Sequence, residues 1–407
     1  MKLIIRFVFF ILFFSNAEPQ VFGQGMWNTI PDFPGTARDD AFGFTANGNG
    51  YVGTGLDVTF GLKNDVWKYD PSTNSWSQAA DFGGTPRQYI ASFSIGLKGY
   101  VFGGIDLNGV YQNDLWIYDA GANSWAPGNP LPGSGRSGAM GFALNGAGYI
   151  TTGRNGLTCF TDLWKYLPVS DAWVQEADFP GQARFAATGF SVLNTFHTGT
   201  GRDIAGNYYN DWWTYDGTSG NWIPASTFPG APRSHGEAFY IPPFGYVGFG
   251  SGQQQEYFND LYRFDPSNDT WLQQAAFPSG ATKGTAAFSI GGKGYVGTGI
   301  DSFNTRTTGF FQFVPDSVTG LSNQITTSAW MFCYPNPFHE SCVVTFPDGS
   351  ENCTLTILNE TGKIISENAV QNQKSMMLNR SSFDHGINFL VLRYPSGKML
   401  TAKLVCY

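Results

Sequence analysis

Basic residues recur at a regular interval through the first three quarters of the chain, and their chemistry suits an anionic ligand. An arginine or lysine stands every 48 to 50 residues, at Arg38, Arg87, Arg136, Arg184, Arg233 and Lys283. A guanidinium grips a carboxylate or a sulfate through two parallel hydrogen bonds. Aspartates recur in step with these residues, so the alternative interpretation is a set of structural ion pairs that join neighbouring repeats. The aspartates are Asp65, Asp114, Asp162, Asp211 and Asp260.

The residues beside this basic set differ from one repeat to the next, which makes them candidates for ligand specificity. Asp40, Tyr89 and His235 each stand two residues after a basic residue. A surface of such mixed character suits one asymmetric ligand. We therefore predict that these three residues and the six basic residues bind the ligand. The alternative interpretation is random drift at positions that face solvent.

One histidine and one carboxylate lie close together in the sequence and are the candidates for catalysis. His235 and Glu237 could exchange protons with a substrate if their side chains converge. The alternative interpretation is that Glu237 is an ordinary strand residue that faces a neighbouring strand. The sequence leaves enzymatic activity open, and it favours a non-enzymatic role.

The cysteines and histidines do not follow the spacing of a metal site. The sequence has no Cys-x-x-Cys pair and no Cys/His pattern typical of zinc, so we predict no metal and no cofactor. Four of the five cysteines lie in the last 75 residues, where either disulfide bonds or buried thiols fit the pattern.

The interval of about 49 residues is the main evidence for the fold. Tryptophans keep the same step at Trp27, Trp76, Trp125, Trp173, Trp222 and Trp271. Each repeat reads as four short strands, and four strands in about 50 residues predict one blade of a β-propeller. The last repeat lacks its own tryptophan strand, whereas Trp27 begins the first repeat with an extra one. We therefore predict an all-β chain whose residues 26–316 form a six-bladed propeller closed by the N-terminal strand.

The glycine pairs and the spaced tyrosines and tryptophans of residues 26–316 resemble kelch repeats. The segment Asn-Asp-Val-Trp-Lys-Tyr-Asp at 64–70 resembles secreted bacterial kelch proteins described as galactose-oxidase-like. Galactose oxidase binds copper through two Tyr and two His, and this chain does not show that set, since His197 takes a position that is Tyr in other repeats. Kelch folds with six blades also include sialic-acid epimerases, which makes a carbohydrate-active enzyme, an epimerase or a lyase, the alternative function.

The last 77 residues resemble a different family, the C-terminal sorting domains of type IX secretion cargo in Bacteroidetes. The residues that carry this resemblance are Tyr334, Pro335, Asn336, Pro337, Phe338, Gly362, Lys363 and Gly386. The resemblance implies a small β-sandwich over 331–407, after a linker at 317–330. It also implies contact with the type IX secretion machinery, and then release or attachment at the cell surface.

The N-terminus and the composition define the compartment and the kinds of partner. Residues 1–23 have two basic residues and then a short apolar run, as a signal peptide does. No later apolar stretch is long enough to span a membrane, so we predict no transmembrane segment in the mature protein. The net charge of −8 argues against nucleic acid. We therefore predict a secreted or surface-displayed binding or adhesion module, with a glycan or a protein as its ligand.

Overall fold

A computed structural model describes residues 24–316, 332–334, 340–346, 352–359, 363–371, 375–383, 386–395 and 399–406. The predicted signal peptide (1–23) and the predicted linker (317–330) lie outside these residues. Contacts between Cα atoms divide the chain into two units, one on each side of the step from Thr319 to Gly320, and each unit is described by itself.

The first unit consists of short strands. They are β1 (Met26–Ile30), β2 (Arg38–Asp39), β3 (Phe42–Ala46), β4 (Asn49–Gly53), β5 (Leu56–Asp57), β6 (Val66–Asp70), β7 (Ser75–Gln78), β8 (Ala91–Ile95), β9 (Lys98–Phe102), β10 (Leu115–Asp119), β11 (Ser124–Gly128), β12 (Met140–Leu144), β13 (Ala147–Thr151), β14 (Arg154–Asn155), β15 (Thr158–Cys159), β16 (Leu163–Leu167), β17 (Ala172–Glu176), β18 (Thr188–Val192), β19 (Thr195–Gly199), β20 (Trp212–Asp216), β21 (Asn221–Ala225), β22 (Glu237–Ile241), β23 (Phe244–Gly248), β24 (Leu261–Asp265), β25 (Thr270–Gln274), β26 (Thr282–Lys283), β27 (Ala286–Ile290), β28 (Lys293–Gly297), β29 (Ile300–Asp301) and β30 (Phe310–Val314).

Residues 24–316 contain six four-stranded antiparallel sheets, which we call blades one to six in chain order. From the innermost strand outwards they are β3-β4-β6-β7, β8-β9-β10-β11, β12-β13-β16-β17, β18-β19-β20-β21, β22-β23-β24-β25 and β27-β28-β30-β1. The innermost strand of each blade packs against those of the two neighbouring blades, in a closed cycle. The predicted all-β propeller is therefore confirmed.

The N-terminal strand completes blade six, as the extra Trp27 predicts. Strand β1 pairs antiparallel with β30, from Met26 opposite Val314 to Ile30 opposite Phe310. The Trp27 ring packs against Phe277 and Phe313, each with a centroid separation of 5.0 Å. This pairing covers the outer edge of β30, which would otherwise expose unpaired backbone groups.

Blades pack on one another through a phenylalanine that lies against a glycine. In the first pair, a Cβ built on Gly99 would lie 2.2 Å from the ring of Phe44 in the preceding blade, so only glycine fits there. Blade four departs from this pattern, because Phe196 replaces the glycine and stacks on Phe142 with centroids 3.6 Å apart. The remaining pairs are Phe93 with Gly148, Phe190 with Gly245, Phe239 with Gly294, and Phe288 with Gly50.

The repeating tryptophans add a second bond between blades. The indole Nε1 of Trp76 donates to the carbonyl oxygen of Pro31 at 2.9 Å, and Trp125 donates in the same way to Ala80 at 3.0 Å. The same bond recurs from Trp27 to Ala275, Trp173 to Asn129, Trp222 to Ala177 and Trp271 to Ser226. These six tryptophans therefore belong to the scaffold.

The second unit has two sheets that share one core. Its strands are β31 (Phe332–Tyr334), β32 (Ser341–Thr345), β33 (Cys353–Asn359), β34 (Ile364–Val370), β35 (Ser375–Asn379), β36 (Gly386–Arg393) and β37 (Met399–Cys406), with a 3₁₀ turn at Arg380–Ser382. The sheet orders are β31-β32-β35 and β34-β33-β36-β37. Cys342 and Cys406 are buried thiols in the shared core, and burial raises the pKa of Cys342 to about 11.

Candidate functional site

The five repeating arginines are buried, and protein groups occupy their guanidinium donors. Arg38 binds both carboxylate oxygens of Asp65, at 2.6 Å from Nη1 and 2.9 Å from Nη2. Its remaining N–H groups donate to the carbonyl oxygens of Thr36 and Thr54 and to the Thr36 hydroxyl. The same two-pronged ion pair joins Arg87 to Asp114, Arg136 to Asp162, Arg184 to Asp211 and Arg233 to Asp260.

Both partners of each ion pair lie in the same blade, which corrects the interpretation that these pairs join neighbouring repeats. Partial burial raises the pKa of Asp65, but the hydrogen bonds and the charge of Arg38 outweigh this and hold that pKa below its usual value. Blades are linked instead by the arginine backbone, since Gly299 N donates to the Arg38 carbonyl oxygen at 2.8 Å. The arginines therefore brace a loop inside each blade.

The sixth member of the predicted basic ring is wrong by one residue. Thr282 pairs with Asp301 as Arg38 pairs with Asp57, and Gly250 N donates to the Thr282 carbonyl oxygen. Lys283 therefore corresponds to Asp39 and not to Arg38. The ring has five arginines, with Thr282 in the sixth place.

The structure brings Asp40, Tyr89 and His235 close together, in the segments that lead into the innermost strands β3, β8 and β22. These residues belong to what we call the mouth ring: Asp40, Tyr89, Gly138, Ala186, His235 and Gly284, all with positive φ. Backbone hydrogen bonds run from one member to the next, as from His235 N to the Ala186 carbonyl oxygen at 3.1 Å. The Tyr89 and His235 rings meet edge to face at 5.6 Å, and the Asp40 carboxyl lies near enough to raise the pKa of the Tyr89 phenol.

Charges of both signs surround the mouth ring. Burial, and then the neighbouring Asp39, raise the pKa of Asp40 well above its usual value. Asp39 is held by Arg306, whose Nε lies 2.6 Å from Oδ1. Burial lowers the pKa of His235, and the positive charges of Lys283, Arg202 and Arg154 lower it further. His235 is therefore a neutral imidazole near pH 7.

Two arginines that the sequence analysis missed lie at this mouth. The guanidinium carbons of Arg154 and Arg202 lie 4.4 Å and 4.9 Å from the centroid of the Phe185 ring. Neither arginine forms an ion pair with any carboxylate of the described residues. A signal exists in the sequence, because the position after the glycine segment is otherwise filled by Leu56, Ile105, Ser251 and Ile300.

Glu237 lies in the central channel, apart from the histidine with which it was paired in the sequence analysis. The channel cavity measures about 220 Å³ and is lined mostly by Gly, Ala, Ser and Thr, with Glu237 as its one charged side chain. Burial raises the pKa of Glu237 to about 8. Its Oε1 accepts from Ala238 N at 3.2 Å, whereas His235 Nδ1 bonds to the Ser234 hydroxyl. Among the described residues no hydrogen bond joins His235 to Glu237.

His197 is part of the core of blade four. Its ring nitrogens bond to the hydroxyls of Thr195 and Thr214, each at 2.9 Å, and the ring stacks on Phe190. Burial lowers the pKa of His197 to about 4. Within the residues that the structure describes, no group of three His, Cys, Asp or Glu side chains is placed to hold a metal ion.

Part of the predicted sorting motif is visible in the second unit. Tyr334 lies in β31 opposite Val343, and Lys363 closes a turn through hydrogen bonds in both directions with Asn359. Gly386 begins β36 with a φ of +100°. The other predicted motif residues, Pro335, Asn336, Pro337, Phe338 and Gly362, lie outside the described residues.

Comparisons with known proteins agree with this architecture. Residues 27–196 match the KLHDC2/KLHL20/DRC7 Kelch-repeats domain, and residues 333–406 match the Secretion system C-terminal sorting domain. Residues 27–196 therefore belong to the kelch repeats of a β-propeller, and residues 333–406 to a C-terminal sorting domain. The sorting domain supports type IX export of this kelch protein to the cell surface or beyond.

A solved structure gives the same fold at low sequence identity. The structure of YjhT matches the kelch protein with a TM-score of 0.60 and 18% identity, over 70% of this chain and 97% of YjhT. This likeness shows the fold alone. No curated protein matches the sequence of the kelch protein. Its described residues include no helix with the length and apolar character that a membrane crossing needs.

Proposed function

We propose that this secreted kelch protein is a binding module whose ligand is an anionic glycan or an acidic protein segment held at the propeller mouth. One observation carries the proposal. Arg154 and Arg202 flank Phe185 beside the mouth ring and have no carboxylate partner among the described residues. The five scaffold arginines differ from them, because each holds an aspartate through two bonds and most of its donors are already engaged.

The aromatic contact prepares these two arginines for a ligand. A guanidinium stacked on a ring keeps its plane fixed while its N–H edge stays available for a carboxylate or sulfate. Arg202 Nη1 also donates to the Tyr208 hydroxyl at 3.1 Å, which restricts the side chain further. Fixing the donors in advance reduces the entropy lost when the ligand binds.

The mouth ring supplies the asymmetry that recognition of one ligand needs. Asp40, Tyr89 and His235 each stand two residues before the innermost strand, in blades one, two and five. Gly138, Ala186 and Gly284 leave the other positions of the ring small. Lys283, one residue before Gly284, adds a cation whose charge reaches Asp40 and His235. A ligand at the mouth would thus meet a phenol, a neutral imidazole and several cations.

An array of charged and neutral glycans and acidic peptides, probed with the full chain, tests the proposal. We expect acidic ligands to bind and neutral counterparts to bind far more weakly. Hydrogen bonds to charged groups contribute about 1.5–3 kcal/mol each, so Arg154→Met with Arg202→Met should weaken binding by about 100-fold or more. The control variant, Lys98→Met with Lys293→Met, removes two cations from the first positions of β9 and β28.

Equal binding of acidic and neutral ligands would contradict the proposal. Unchanged affinity in the Arg154→Met/Arg202→Met variant would contradict it as well. A comparable loss in the Lys98→Met/Lys293→Met variant would show that net charge and not the mouth determines binding.

A carbohydrate-active enzyme of the epimerase or lyase type is the second candidate, and Glu237 favours it. A carboxyl with a pKa of about 8 is largely protonated near pH 7, so it can donate a proton to a sugar oxygen. Proton NMR of sialic-acid anomers mixed with the full chain tests this function. Faster anomer exchange that is lost in Glu237→Gln would support the enzyme, and an unchanged rate with wild-type protein would contradict it.

A further inference from the structure

A second cavity lies between blades one and two, among the turns at the opposite ends of the strands from the mouth ring. It measures about 180 Å³. Its lining residues are Asn47, Asn49, Tyr51, Lys68, Gln78, Ala79, Tyr118, Ala120 and Asn123, and we call it the blade-one/two cleft. The lining includes one cation, three asparagines, a glutamine and two phenols, and it includes no carboxylate. None of these residues takes part in the proposed mouth site.

Lys68 is the exception among the five polar residues at six equivalent positions. The centre of the third strand holds Lys68, Ile117, Lys165, Thr214, Arg263 or Gln312 in blades one to six. Lys165 lies 3.6 Å from Glu176, and Thr214 bonds to His197. The Arg263 guanidinium stacks on Phe244, and Gln312 donates to the Tyr295 hydroxyl. The side chain of Lys68 makes no hydrogen bond, ion pair or ring contact within the described residues, and its charge acts on Asp70, two residues along its strand, without direct contact.

Asn123 places an uncharged amide in the same cleft, at a position that is also Asn in blade one (Asn74) and is Asp in two other blades. The residue two before the outer tryptophan is Asp171 in blade three and Asp269 in blade five, both with positive φ like Asn123. Asp171 accepts from the Tyr166 hydroxyl, and Asn123 Oδ1 accepts in the same way from the Tyr118 hydroxyl at 2.7 Å. Asn123 thus keeps the structural bond of the aspartate without its negative charge. Lys68 therefore faces a cleft that has an amide at the position where blades three and five have an acid.

We infer that the blade-one/two cleft binds a small hydroxylated carboxylate, with Lys68 as the counter-ion and the amides as hydroxyl partners. An ammonium group that has no partner favours a carboxylate, and amide side chains both donate to and accept from hydroxyl groups. The cavity is smaller than the roughly 300 Å³ at the lower end for drug-sized ligands, so it suits a single acidic sugar unit. This site goes beyond the proposed function and lies apart from the mouth.

Titration with glucuronate, using glucose as its neutral counterpart, tests the inference. The measurement uses the full chain that carries Arg154→Met and Arg202→Met, so that the mouth does not contribute. We expect glucuronate to bind with millimolar affinity by calorimetry and ligand-observed NMR, and glucose to bind at least tenfold more weakly. Lys68→Met should reduce the glucuronate affinity at least tenfold.

Asn123→Asp is the sharper variant, because it installs the carboxylate that Asp171 and Asp269 supply elsewhere. Aspartate tolerates positive φ, so the fold should persist while the new charge neutralises Lys68 and repels the ligand. We expect glucuronate binding to fall at least tenfold with an unchanged melting temperature. The matched control is Lys165→Met, whose lysine already has an acidic partner, and it should bind glucuronate as the parent does.

Three results would overturn the inference. They are no detectable glucuronate binding, equal affinity for glucose, or unchanged affinity in both Lys68→Met and Asn123→Asp. Each result concerns the cleft alone, because the mouth arginines are absent from every protein tested. The proposed function therefore stands or falls on the glycan and peptide array, independently of this titration.

Discussion

Blades one to five each contain a buried Arg–Asp ion pair, whereas blade six has the same backbone arrangement without it. In blade one, Arg38 binds Asp65, and Thr54 N donates to the Asp65 carbonyl oxygen at 3.3 Å. In blade six, Thr298 N donates to the Gly309 carbonyl oxygen at 3.1 Å, so Gly309 takes the place of the aspartate. Thr282 takes the place of the arginine. Blade six therefore lacks both partners of the ion pair.

The difference separates what sets the ring geometry from what braces each blade. The backbone bond between neighbouring blades is present with either residue, at 2.8 Å to the carbonyl oxygen of Arg38 and of Thr282. The ion pair is therefore not required for blade-to-blade spacing. Blade six lacks both the arginine and the aspartate. Losing both is less costly than losing one, since one buried charge without its partner costs several kcal/mol. Thr282 instead donates its hydroxyl to the Ile300 carbonyl oxygen at 3.2 Å.

Removing one arginine from a paired blade should give the largest effect. Arg136→Met keeps an apolar stem in the buried site but leaves Asp162 without its counter-ion. Because the carboxylate is 21% exposed, we expect a loss near the lower end for broken buried pairs, about 3 kcal/mol. Thermal unfolding of the full chain, followed by tryptophan fluorescence, should show a propeller transition lowered by about 5–10 °C.

The control for this prediction comes from the same blade. Arg154→Met removes a mouth arginine that has no ion pair, so its cost should stay below about 1 kcal/mol. Equal destabilisation by Arg136→Met and Arg154→Met would show that the paired and unpaired arginines do not differ as the contacts indicate.

The repeat made the fold predictable, because the same residue types recur at the same positions of each blade. The tryptophan step and the missing last strand predicted that β1 pairs with β30. The repeat also explains the error at Lys283. This basic residue stands one position after Thr282, the true equivalent of the arginines, and so fits the interval almost as well. The missing aspartate at Gly309 was the signal that blade six has no pair.

The candidate site was only partly predictable. Asp40, Tyr89 and His235 were found as variable positions beside a repeating one, and they do converge. Arg154 and Arg202 do not recur through all the repeats, and they stand at a position that is Leu, Ile or Ser in the other blades. The sequence could not show that His235 and Glu237 diverge, because that depends on which side of the inner strand each side chain lies.

The next largest effect on stability should come from Glu237, because blade five has a carboxyl at this position of its innermost strand. The equivalent residues include Phe42, Ala91 and Thr188, and none of these three can ionise at ordinary pH. The folded-state pKa is raised from 4.5 to about 8, so the group favours folding while it is protonated. That stability is fully present below about pH 4.5 and is lost as the pH rises to 8. Because the side chain is partly exposed, we expect a loss of about 2 kcal/mol.

Glu237→Gln isolates this contribution, because it keeps the shape and cannot ionise. Urea unfolding at pH 5 and at pH 8 should show a pH-dependent loss of stability that is about 2 kcal/mol smaller in Glu237→Gln than in the parent. Identical pH dependence in the two proteins would mean that the carboxyl is ionised in the channel at neutral pH, and the case for a proton donor there would fail.

The smallest effect should come from building the pair that blade six lacks. Thr282→Arg with Gly309→Asp restores the arrangement of the other blades, and a Cβ on Gly309 would meet its nearest atom at 3.3 Å, so a neighbour must yield slightly. Desolvation of the two charges offsets most of their attraction, so the double variant should lie within about 1 kcal/mol of the parent. Thr282→Arg alone should cost more than the double variant, because its guanidinium would be buried without a carboxylate. If the single and double variants unfold at the same denaturant concentration, then no coupling forms in blade six, and the five natural pairs depend on more than these two residues.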